Sequence, residues 1–347
     1  MAPVLAEAVR QAAAERRALR IVGGDTKPLY GRPVDGERLE LRGHRGIVDY
    51  DPAELVITAR AGTPLAAIEA RLTAEGQRLS FEPPRLGASS TIGGVVAAGL
   101  AGPRRPFAGA VRDSLLGVRV LDGRGRALSF GGRVFKNVAG FDLFRPMAGA
   151  LGTLGVILEV SLRVAPAPRR EIALALEAPS AAARAFVAER LRTATPLSGA
   201  FHDGRRLILR LAGGEAGVQT ARSGVGGEEI GLAAWDAIRD LAHPALAAPG
   251  PLWRLSLPPA APIPPVGELL CWDWAGALAW IGGDLEPERV WSAARAAGGH
   301  AMLFRGAAPG AEVFQPLASP LMALHRRLKA ALDPAGVLNP GRLYRDL

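Results

Sequence analysis

In the first part of the chain, segments with apolar residues at helical spacing alternate with short, continuous apolar runs. Residues 4–17 have the spacing of an amphipathic helix, and residues 19–22 form a run typical of a buried strand. Residues 63–74 predict a second helix, with Thr63 as its N-cap. Between these two helices the pattern predicts three further strands, at residues 39–41, 46–50 and 55–59.

Two glycine-rich segments, residues 86–106 and 136–157, flank a strand pattern in the middle of the chain. Fixed glycines cost backbone entropy, so a dense set among apolar residues indicates positive φ or close approach of the backbone to another group. A tight turn or bulge explains any single glycine, but a large cofactor lying against the backbone explains both segments together better. Between the segments, residues 111–121 and 126–130 predict two strands joined by a turn at Asp122-Gly123.

The second half of the chain has a different pattern. From residue 171 to residue 305, strand and helix patterns alternate, which predicts an antiparallel sheet covered by helices and an α+β fold class. Residues 213–227 are glycine-rich and predict a helix end plus a flexible surface loop in preference to a ligand site, and residues 228–241 predict a helix. We expect three parts: a cofactor-binding domain at residues 1–168, an α+β cap domain at residues 169–316, and a C-terminal helix and tail at residues 317–347 that returns to the first domain.

The charge of the chain does not indicate a nucleic-acid partner. The formal charge is +9, which by itself would suit nucleic acid or an anionic surface. However, 39 of the 42 basic residues are arginines, spread along the chain without a basic block. Cys271 is the only cysteine, so an internal disulfide and a cysteine-ligated iron–sulfur cluster within this chain are excluded.

Membrane and export signals are also missing from the sequence. No apolar run reaches the roughly 18 residues expected of a transmembrane helix. The N-terminal stretch lacks the basic n-region of a signal peptide. We therefore expect a cytoplasmic protein without a transmembrane segment, and we leave open a peripheral attachment to the inner membrane through a complex.

A candidate phosphate-binding loop follows the first predicted strand. Its residues are Gly23, Gly24, Asp25, Thr26 and Lys27, whose backbone N–H groups could surround a pyrophosphate. The Gly-Lys-Ser/Thr of a Walker loop does not follow, and the Gly-x-Gly-x-x-Gly fingerprint is missing. The sequence therefore argues against a P-loop and against the doubly wound NAD-binding fold.

Five motifs occur in order along the chain: Thr91-Ile-Gly-Gly, Gly99-Leu-Ala-Gly-Pro-Arg-Arg-Pro, Val111-Arg-Asp-Ser, Lys136-Asn-Val-Ala-Gly-Phe-Asp and Gly152-Thr-Leu-Gly-Val-Ile. Together they resemble the FAD-binding domain of the vanillyl-alcohol-oxidase/p-cresol-methylhydroxylase (PCMH-type) flavoproteins. Within that superfamily the chain is most similar to the family of FAD-binding E subunits of bacterial glycolate oxidase (GlcE type). The resemblance covers residues 18–165 and resumes at residues 333–344. It implies a PCMH-type FAD-binding domain of two subdomains plus a smaller cap domain.

The resemblance also implies FAD as the cofactor and suggests which residues contact it. Some relatives attach flavin covalently through a histidine in the loop where this chain has Asp25 and Thr26, so non-covalent FAD is implied. Arg342 is implied to hold a carboxylate or the polar edge of the flavin. The expected cofactor-binding residues are Gly23, Gly24, Asp25, Thr26, Lys27, Gly87, Thr91, Gly93, Gly94, Gly102, Val111, Asp113, Gly155, Val156, Ile157 and Asn339.

Candidates for catalysis are weaker than those for cofactor binding. Oxidation of a hydroxy acid needs a cation to hold the carboxylate and a base for the hydroxyl proton. Arg104, Arg105, Arg305 and Arg342 are candidates for the cation, each weighed against an ordinary surface arginine. His300 is the best candidate for the base, weighed against a structural histidine. The five histidines lack metal-ligand spacing, so we expect no metal site.

The resemblance implies an FAD-binding subunit of a heteromeric glycolate oxidase or dehydrogenase. Such a subunit contributes to the oxidation of glycolate, a 2-hydroxy acid, to glyoxylate, and to electron transfer through flavin. The implied partners are a larger homologous flavoprotein subunit and an iron–sulfur subunit. Two alternatives stay open: a stand-alone FAD-dependent oxidoreductase of a small hydroxy acid or alcohol, and a flavin-stabilised scaffold subunit without turnover.

Overall fold

The computed structural model describes residues 1–132, 142–247, 249–308 and 310–347. Residues 136–141 of the motif that begins at Lys136 therefore lie outside the described residues. Within the described ranges the elements in chain order are α1 (Ala2–Glu15), β1 (Leu19–Val22), β2 (Glu37–Glu40), β3 (Ile47–Asp51), β4 (Val56–Arg60), α2 (Leu65–Thr73), β5 (Gln77–Leu79), α3 (Ile92–Ala98), α4 (Arg105–Ala108), α5 (Val111–Ser114), β6 (Leu115–Leu121), β7 (Ala127–Gly131), β8 (Val156–Pro166), β9 (Arg170–Glu177), α6 (Ser180–Arg190), β10 (Leu197–His202), β11 (Arg206–Gly213), α7 (Glu215–Val225), β12 (Glu228–Ile230), α8 (Ala233–Arg239), β13 (Leu252–Ser256), β14 (Glu268–Asp273), β15 (Leu278–Gly282), α9 (Pro287–Ala296), β16 (His300–Arg305) and α10 (Ser319–Leu332).

The chain divides into two compact units. The first unit contains Met1–Leu100, Ala110–Ala167 and Pro316–Leu347, and the second contains Ala101–Gly109 and Pro168–Gln315. This division differs from the predicted one at residues 101–109, which the sequence pattern assigns to the first domain. Two contacts explain the difference: Phe107 packs against a hydrophobic core of the second unit, and Gly102 O accepts a hydrogen bond from Trp274 Nε1 at 2.9 Å.

The first unit is built on two sheets. Strands β1 and β2 pair in parallel, while a larger antiparallel sheet has the order β3-β4-β8-β6-β7, with β5 also pairing with β8. Strand β8 is central, and its apolar residues from Val156 to Val164 are buried, whereas the charged residues between them, Glu159 and Arg163, are only partly buried. Helices α1, α2 and α3 contribute Val9, Ile68 and Val96 to the same hydrophobic core, all at 0% exposure.

The C-terminal segment after α10 belongs to this first unit. Leu338 forms a parallel bridge with Leu19 at the start of β1, and Leu19 N donates to Val337 O at 2.7 Å. Val337 and Leu338 are buried in the core of the first unit. The tail is thereby fixed beside the strand that precedes the glycine loop.

The second unit contains an eight-stranded antiparallel sheet in the order β12-β9-β11-β10-β14-β15-β13-β16. One core cluster combines this sheet with α6 and α7, and another combines it with α9. The antiparallel sheet and its helices confirm the predicted α+β fold class. No helix among the described residues is long and apolar enough to cross a membrane.

Four local predictions are wrong. Thr63 is not the N-cap of α2, because Pro64 occupies that position and the Thr63 hydroxyl donates to Arg60 O. Residues 111–114, predicted as strand, form the helical turn α5, in which Asp113 accepts a hydrogen bond from Ala110 N. Residues 213–227, predicted as a helix end plus a flexible loop, are mostly helix α7, since Val218 and Val225 supply a buried side to it. The predicted helix at residues 228–241 begins as strand β12, which pairs with β9.

Candidate cofactor site

Two adjoining cavities in the first unit form one cleft, with volumes of about 640 and 410 Å³. Together they bring residues near the start of the chain beside residues near its end. The lining residues common to both cavities are Ile21, Gly23, Thr91, Gly94, Ala97, Leu151 and Asn339.

The two cavities differ in chemistry. The larger one is bounded by the charged side chains of Arg20, Asp25, Lys27 and Arg342. The smaller one is bounded mainly by apolar groups and backbone, which include Leu41, Ala61, Ile157, Gly152 and Gly155. A ligand with an anionic part and a flat apolar part matches this division.

The loop after β1 lies so close to residues 89–91 that its first two positions must be glycines. A Cβ at Gly23 would collide with Thr91 Oγ1, and a Cβ at Gly24 would collide with the carbonyl oxygen of Ser89. Asp25 then adopts a left-handed φ of 53°, which an aspartate tolerates better than most residues. The predicted glycines therefore serve backbone approach within the protein, which forms the floor of the cleft.

Hydrogen bonds hold the charged side chains of this loop and of the preceding strand β1. Arg20 donates to both oxygens of Asp25, at 2.8 and 2.9 Å, and Arg38 reaches Asp25 at 3.3 Å. Lys27 Nζ donates to Ser90 Oγ at 3.1 Å and to Arg85 O at 3.2 Å. These contacts fix two cationic groups, Arg20 and Lys27, at the polar cavity.

Helix α3 contributes two glycines to the lining of the cleft, and only one of them has open space in front of it. Thr91 is its N-cap, and Thr91 Oγ1 accepts a hydrogen bond from Gly94 N at 3.4 Å. A Cβ at Gly94 would meet only Thr91 Oγ1, at 3.3 Å, so the space in front of it is open. A Cβ at Gly93 would lie 2.5 Å from Ala61 Cβ and 2.9 Å from Ala61 Cα. Gly93 is therefore needed for packing, whereas Gly94 leaves room in the cleft.

Asn339 and Arg342 connect the C-terminal tail to this cleft through backbone groups. Asn339 Oδ1 accepts from Ile21 N at 2.7 Å, and Asn339 Nδ2 donates to Leu151 O at 2.6 Å. Arg342 donates to Arg32 O at 2.6 Å and to Lys27 O at 3.1 Å. Burial, together with the charge of Arg20, lowers the pKa of Arg342, and Asp25 opposes this shift. Both tail residues thus hold the walls of the cleft in place.

Most of the residues expected from the sequence lie together in the cleft, and some do not. Val111 and Val156 are core residues of the first unit, and the carboxylate of Asp113 caps the turn α5. Gly87 packs against Thr26, and Gly102 belongs to the second unit. The expected residues that line the cleft are Gly23, Gly24, Asp25, Thr26, Lys27, Thr91, Gly93, Gly94, Gly155, Ile157, Asn339 and Arg342.

Four of the five catalytic candidates belong to the second unit: Arg104, Arg105, His300 and Arg305. Arg305 donates to Leu246 O at 3.2 Å and to Gly250 O at 3.3 Å, so it supports a loop. Among the described residues there is no group of three or more histidine, cysteine, aspartate or glutamate side chains that could hold a metal ion.

Sequence reasoning missed several residues of the cleft. Arg20, Ile21 and Val22 lie on β1, and their proximity to the predicted loop was the available signal. Gly152 opens one of the five motifs. No local pattern distinguishes the other missed residues, because only the fold brings them to the cleft. They are Val34, Leu41, Ala61, Ala97, Ala98 and Leu151.

Comparison with known proteins gives a family for the whole chain. The chain is 48% identical to the glycolate oxidase subunit GlcE of Escherichia coli (strain K12) over 344 residues, which are 99% of this chain and 97% of that protein. The chain belongs to the GlcE family. An FAD binding domain model matches residues 3–131, and a model of the C-terminal domain of FAD linked oxidases matches residues 314–343.

Two more distant relatives differ in how much of the chain they match. The glycolate oxidase subunit GlcD of Bacillus subtilis (strain 168) is 31% identical over 138 residues, which cover 39% of this chain and 29% of that protein. The solved structure of an alkyldihydroxyacetonephosphate synthase superposes with a TM-score of 0.67 at 16% identity, covering 98% of this chain and 75% of that one. That structure shows the fold alone. The match to the FAD binding domain model and the likeness to GlcE show that this protein has the PCMH-type fold and is an FAD-dependent oxidoreductase subunit with FAD as its cofactor.

Proposed function

We propose that this GlcE-family chain binds FAD in the cleft of the first unit and acts as the FAD-binding subunit of a heteromeric glycolate oxidase. The observation that carries the proposal is the likeness to GlcE over 99% of the chain. Bound FAD would supply a two-electron acceptor for the oxidation of a 2-hydroxy acid such as glycolate to the 2-oxo acid glyoxylate. The chain itself would bind and orient the cofactor.

The residues of the cleft fit the chemistry of FAD. Arg20 and Lys27 would neutralise charge on the pyrophosphate, and the backbone around Gly23 and Gly24 would approach it closely. Gly94 lacks the side chain that would fill the cleft. Apolar side chains in the smaller cavity would cover a flat ring and exclude water from it. They are Ile21, Leu41, Ala97, Leu151 and Ile157.

Substitution of the two adjacent glycines of α3 should separate cofactor binding from folding. We expect Gly94→Val to lower FAD occupancy at least tenfold while the melting temperature of the FAD-free protein changes little, because the added atoms occupy the open cleft. We expect Gly93→Val to reduce the yield of folded protein, because its Cβ overlaps Ala61. Flavin absorbance and thermal melts measure both effects. Full flavin occupancy in purified Gly94→Val would show that the cleft is not the FAD site.

We further propose that FAD is bound non-covalently, because Asp25 and Thr26 stand where covalent relatives carry a histidine. Acid precipitation of the purified protein should leave the yellow chromophore in the supernatant, where chromatography should identify it as FAD. Flavin that stays with the pellet after denaturation would contradict this proposal. The same acid precipitation of FAD-free protein provides the blank for the flavin measurement.

The proposed partners are a GlcD-type flavoprotein subunit and an iron–sulfur subunit. The similarity of this chain to a GlcD subunit supports a relation between the two flavoproteins. The lone cysteine of this chain means that any cysteine-ligated cluster of the complex would lie in another subunit. We place the assembly in the cytoplasm at the inner membrane, where fractionation of the native host should find this chain.

Anaerobic reduction by glycolate tests the proposed function. We expect the flavin of this chain to bleach when it is assembled with its partner subunits and to stay oxidised when the chain is isolated, as in a redox relay. Rapid bleaching of the isolated chain would identify a stand-alone oxidoreductase. If the flavin of this chain stays oxidised in both samples while the flavin of the partner subunit is reduced, the chain is a scaffold subunit.

A further inference from the structure

The loop between β1 and β2, residues 23–36, borders the polar cavity of the first unit in two separate places. Thr26 and Lys27 line the cavity near the start of the loop, and Val34 lines it again near the end. The part between them projects outward, since Leu29 is 66% exposed. The loop thus leaves the wall of the cavity and then returns to it.

The C-terminal tail holds this loop through hydrogen bonds that run in both directions. Arg342 Nη1 donates to Arg32 O at 2.6 Å, and Arg342 Nη2 donates to Lys27 O at 3.1 Å. In return, Arg32 N donates to Arg342 O at 2.9 Å, and Arg32 Nε donates to Gly341 O at 3.1 Å. We call these four hydrogen bonds the clasp. The clasp joins the loop to the tail beside the polar cavity that both segments line.

Gly31 lies where the loop, the tail and the lining of the cleft meet. A Cβ at Gly31 would lie 2.8 Å from Leu151 Cδ1 and 3.0 Å from Arg342 O, and the φ of this glycine is 84°. Leu151 lines both cavities of the cleft. With the clasp formed, the loop therefore packs directly on a residue of the cleft, and a side chain at Gly31 would force the two apart.

The tail is anchored beside the clasp, and the clasp itself consists of irregular backbone. Asn339 fixes the tail to β1 by accepting a hydrogen bond from Ile21 N at 2.7 Å. Two residues further on, Gly341 has a φ of 71°, and a glycine changes its backbone conformation at little cost. The clasp can therefore open while the anchor stays in place, because all of its residues lie outside helices and strands: Lys27, Arg32, Gly341 and Arg342.

We propose that the clasp is a gate for FAD, which opens before the cofactor enters or leaves the cleft. The gate rests on the proposed function in one respect, namely that FAD occupies this cleft. The clasp bonds join protein to protein, so they stabilise the closed state equally with and without FAD. Weakening the clasp should therefore raise the association and dissociation rate constants of FAD by the same factor and leave the Kd unchanged. A residue that only holds bound FAD would instead change the Kd.

Arg342→Lys tests the gate in the full-length protein, because lysine keeps the positive charge at the cavity but lacks the fork that reaches two carbonyl groups. We expect both rate constants to rise about five- to tenfold and the Kd to stay within about twofold, since one or two hydrogen bonds are lost. Flavin fluorescence after mixing FAD-free protein with FAD measures association. An excess of another FAD-free flavoprotein, which captures released FAD, measures dissociation. Arg326→Lys is the control, because the exposed pair of Arg326 with Asp346 lies outside the clasp.

Gly31→Ala tests the gate a second time without changing any charge. Its Cβ would push the loop away from Leu151, so we again expect faster association and faster dissociation of FAD. Gly76→Ala is the matched control, because Gly76 lies in the same unit with a similar φ of 64° and no atom within 4 Å of an added Cβ. Equal rate constants for these two variants would overturn the proposal.

Failure of the gate can be distinguished from failure of the proposed function. If Arg342→Lys raises only the dissociation rate constant, and the Kd with it, Arg342 is a fixed part of the binding site and the gate is refuted. Rate constants equal to those of Arg326→Lys would refute the gate as well, and in both cases FAD binding stands. Full flavin occupancy in Gly94→Val would instead refute the cleft as the FAD site, and the gate would fall with it.

Discussion

A protein that ends at residue 335 should lose its flavin and unfold at a lower temperature than the full-length chain. The deletion removes Val337 and Leu338, each at most 2% exposed, whose burial contributes about 1.5–3 kcal/mol apiece. It also removes Asn339 and Arg342, which hold the backbone of β1 and of the loop that follows. We expect the melting temperature to fall by about 10 °C, together with a loss of FAD absorbance.

The variant Arg326→Ala is the control for this truncation. It removes an ion pair with Asp346 whose side chains are 54% and 62% exposed, so the expected change in the free energy of unfolding is below about 1 kcal/mol. Its flavin content should match that of the wild type. A truncated protein that retained both full flavin occupancy and the original melting temperature would refute the role assigned to the tail.

Lys329→Met should destabilise the first unit by about 3–5 kcal/mol, because it leaves the buried carboxylate of Asp333 without its cation. The side chains of Lys329 and Asp333 are 9% and 0% exposed, and Nζ lies 2.7 Å from the carboxylate. Lys329 Nζ also donates to Thr153 O at 2.8 Å and to Leu338 O at 2.7 Å. Burial lowers the pKa of Lys329, while Asp333 opposes this shift.

Urea unfolding of a set of variants measures this effect. The double variant Lys329→Met/Asp333→Asn should recover part of the loss, because it removes the unpaired buried charge. Val337 N and Leu338 N donate to different oxygens of Asp333, so the single amide oxygen can keep only one of these two hydrogen bonds. Arg71→Ala, which breaks an exposed pair with Glu75, should change the free energy of unfolding by less than about 1 kcal/mol. A loss for Lys329→Met no larger than that of Arg71→Ala would contradict a structural role for the pair.

The two glycines of α3 show what a sequence pattern can predict about a site and what it cannot. Gly93 and Gly94 are adjacent in one motif, and the pattern assigns both to the cofactor. Both line the cleft, but a Cβ at Gly93 would overlap Ala61, whereas a Cβ at Gly94 would meet only Thr91 Oγ1. A motif therefore predicts that small residues are needed, but the fold determines what each of them approaches.

The same distinction applies to the basic residues. The sequence contains many arginines but does not show which of them would bind a ligand, because the groups that they contact are distant along the chain. The structure places Arg342 on the carbonyl groups of Lys27 and Arg32, and it places Arg305 on those of Leu246 and Gly250. Two residues expected to touch a ligand thus support the backbone.

The sequence by itself determined the α+β class, the FAD-binding motifs and the family resemblance, because these depend on local periodicity and on ordered spacing. It also predicted the strand at residues 19–22 and the glycine loop after it. Tertiary structure alone decided that Asn339 binds Ile21 and Leu151, and that residues 101–109 join the second unit. The physical reason is that these contacts connect segments far apart in sequence, and hydrophobic burial and backbone hydrogen bonds select them only once the sheets have formed.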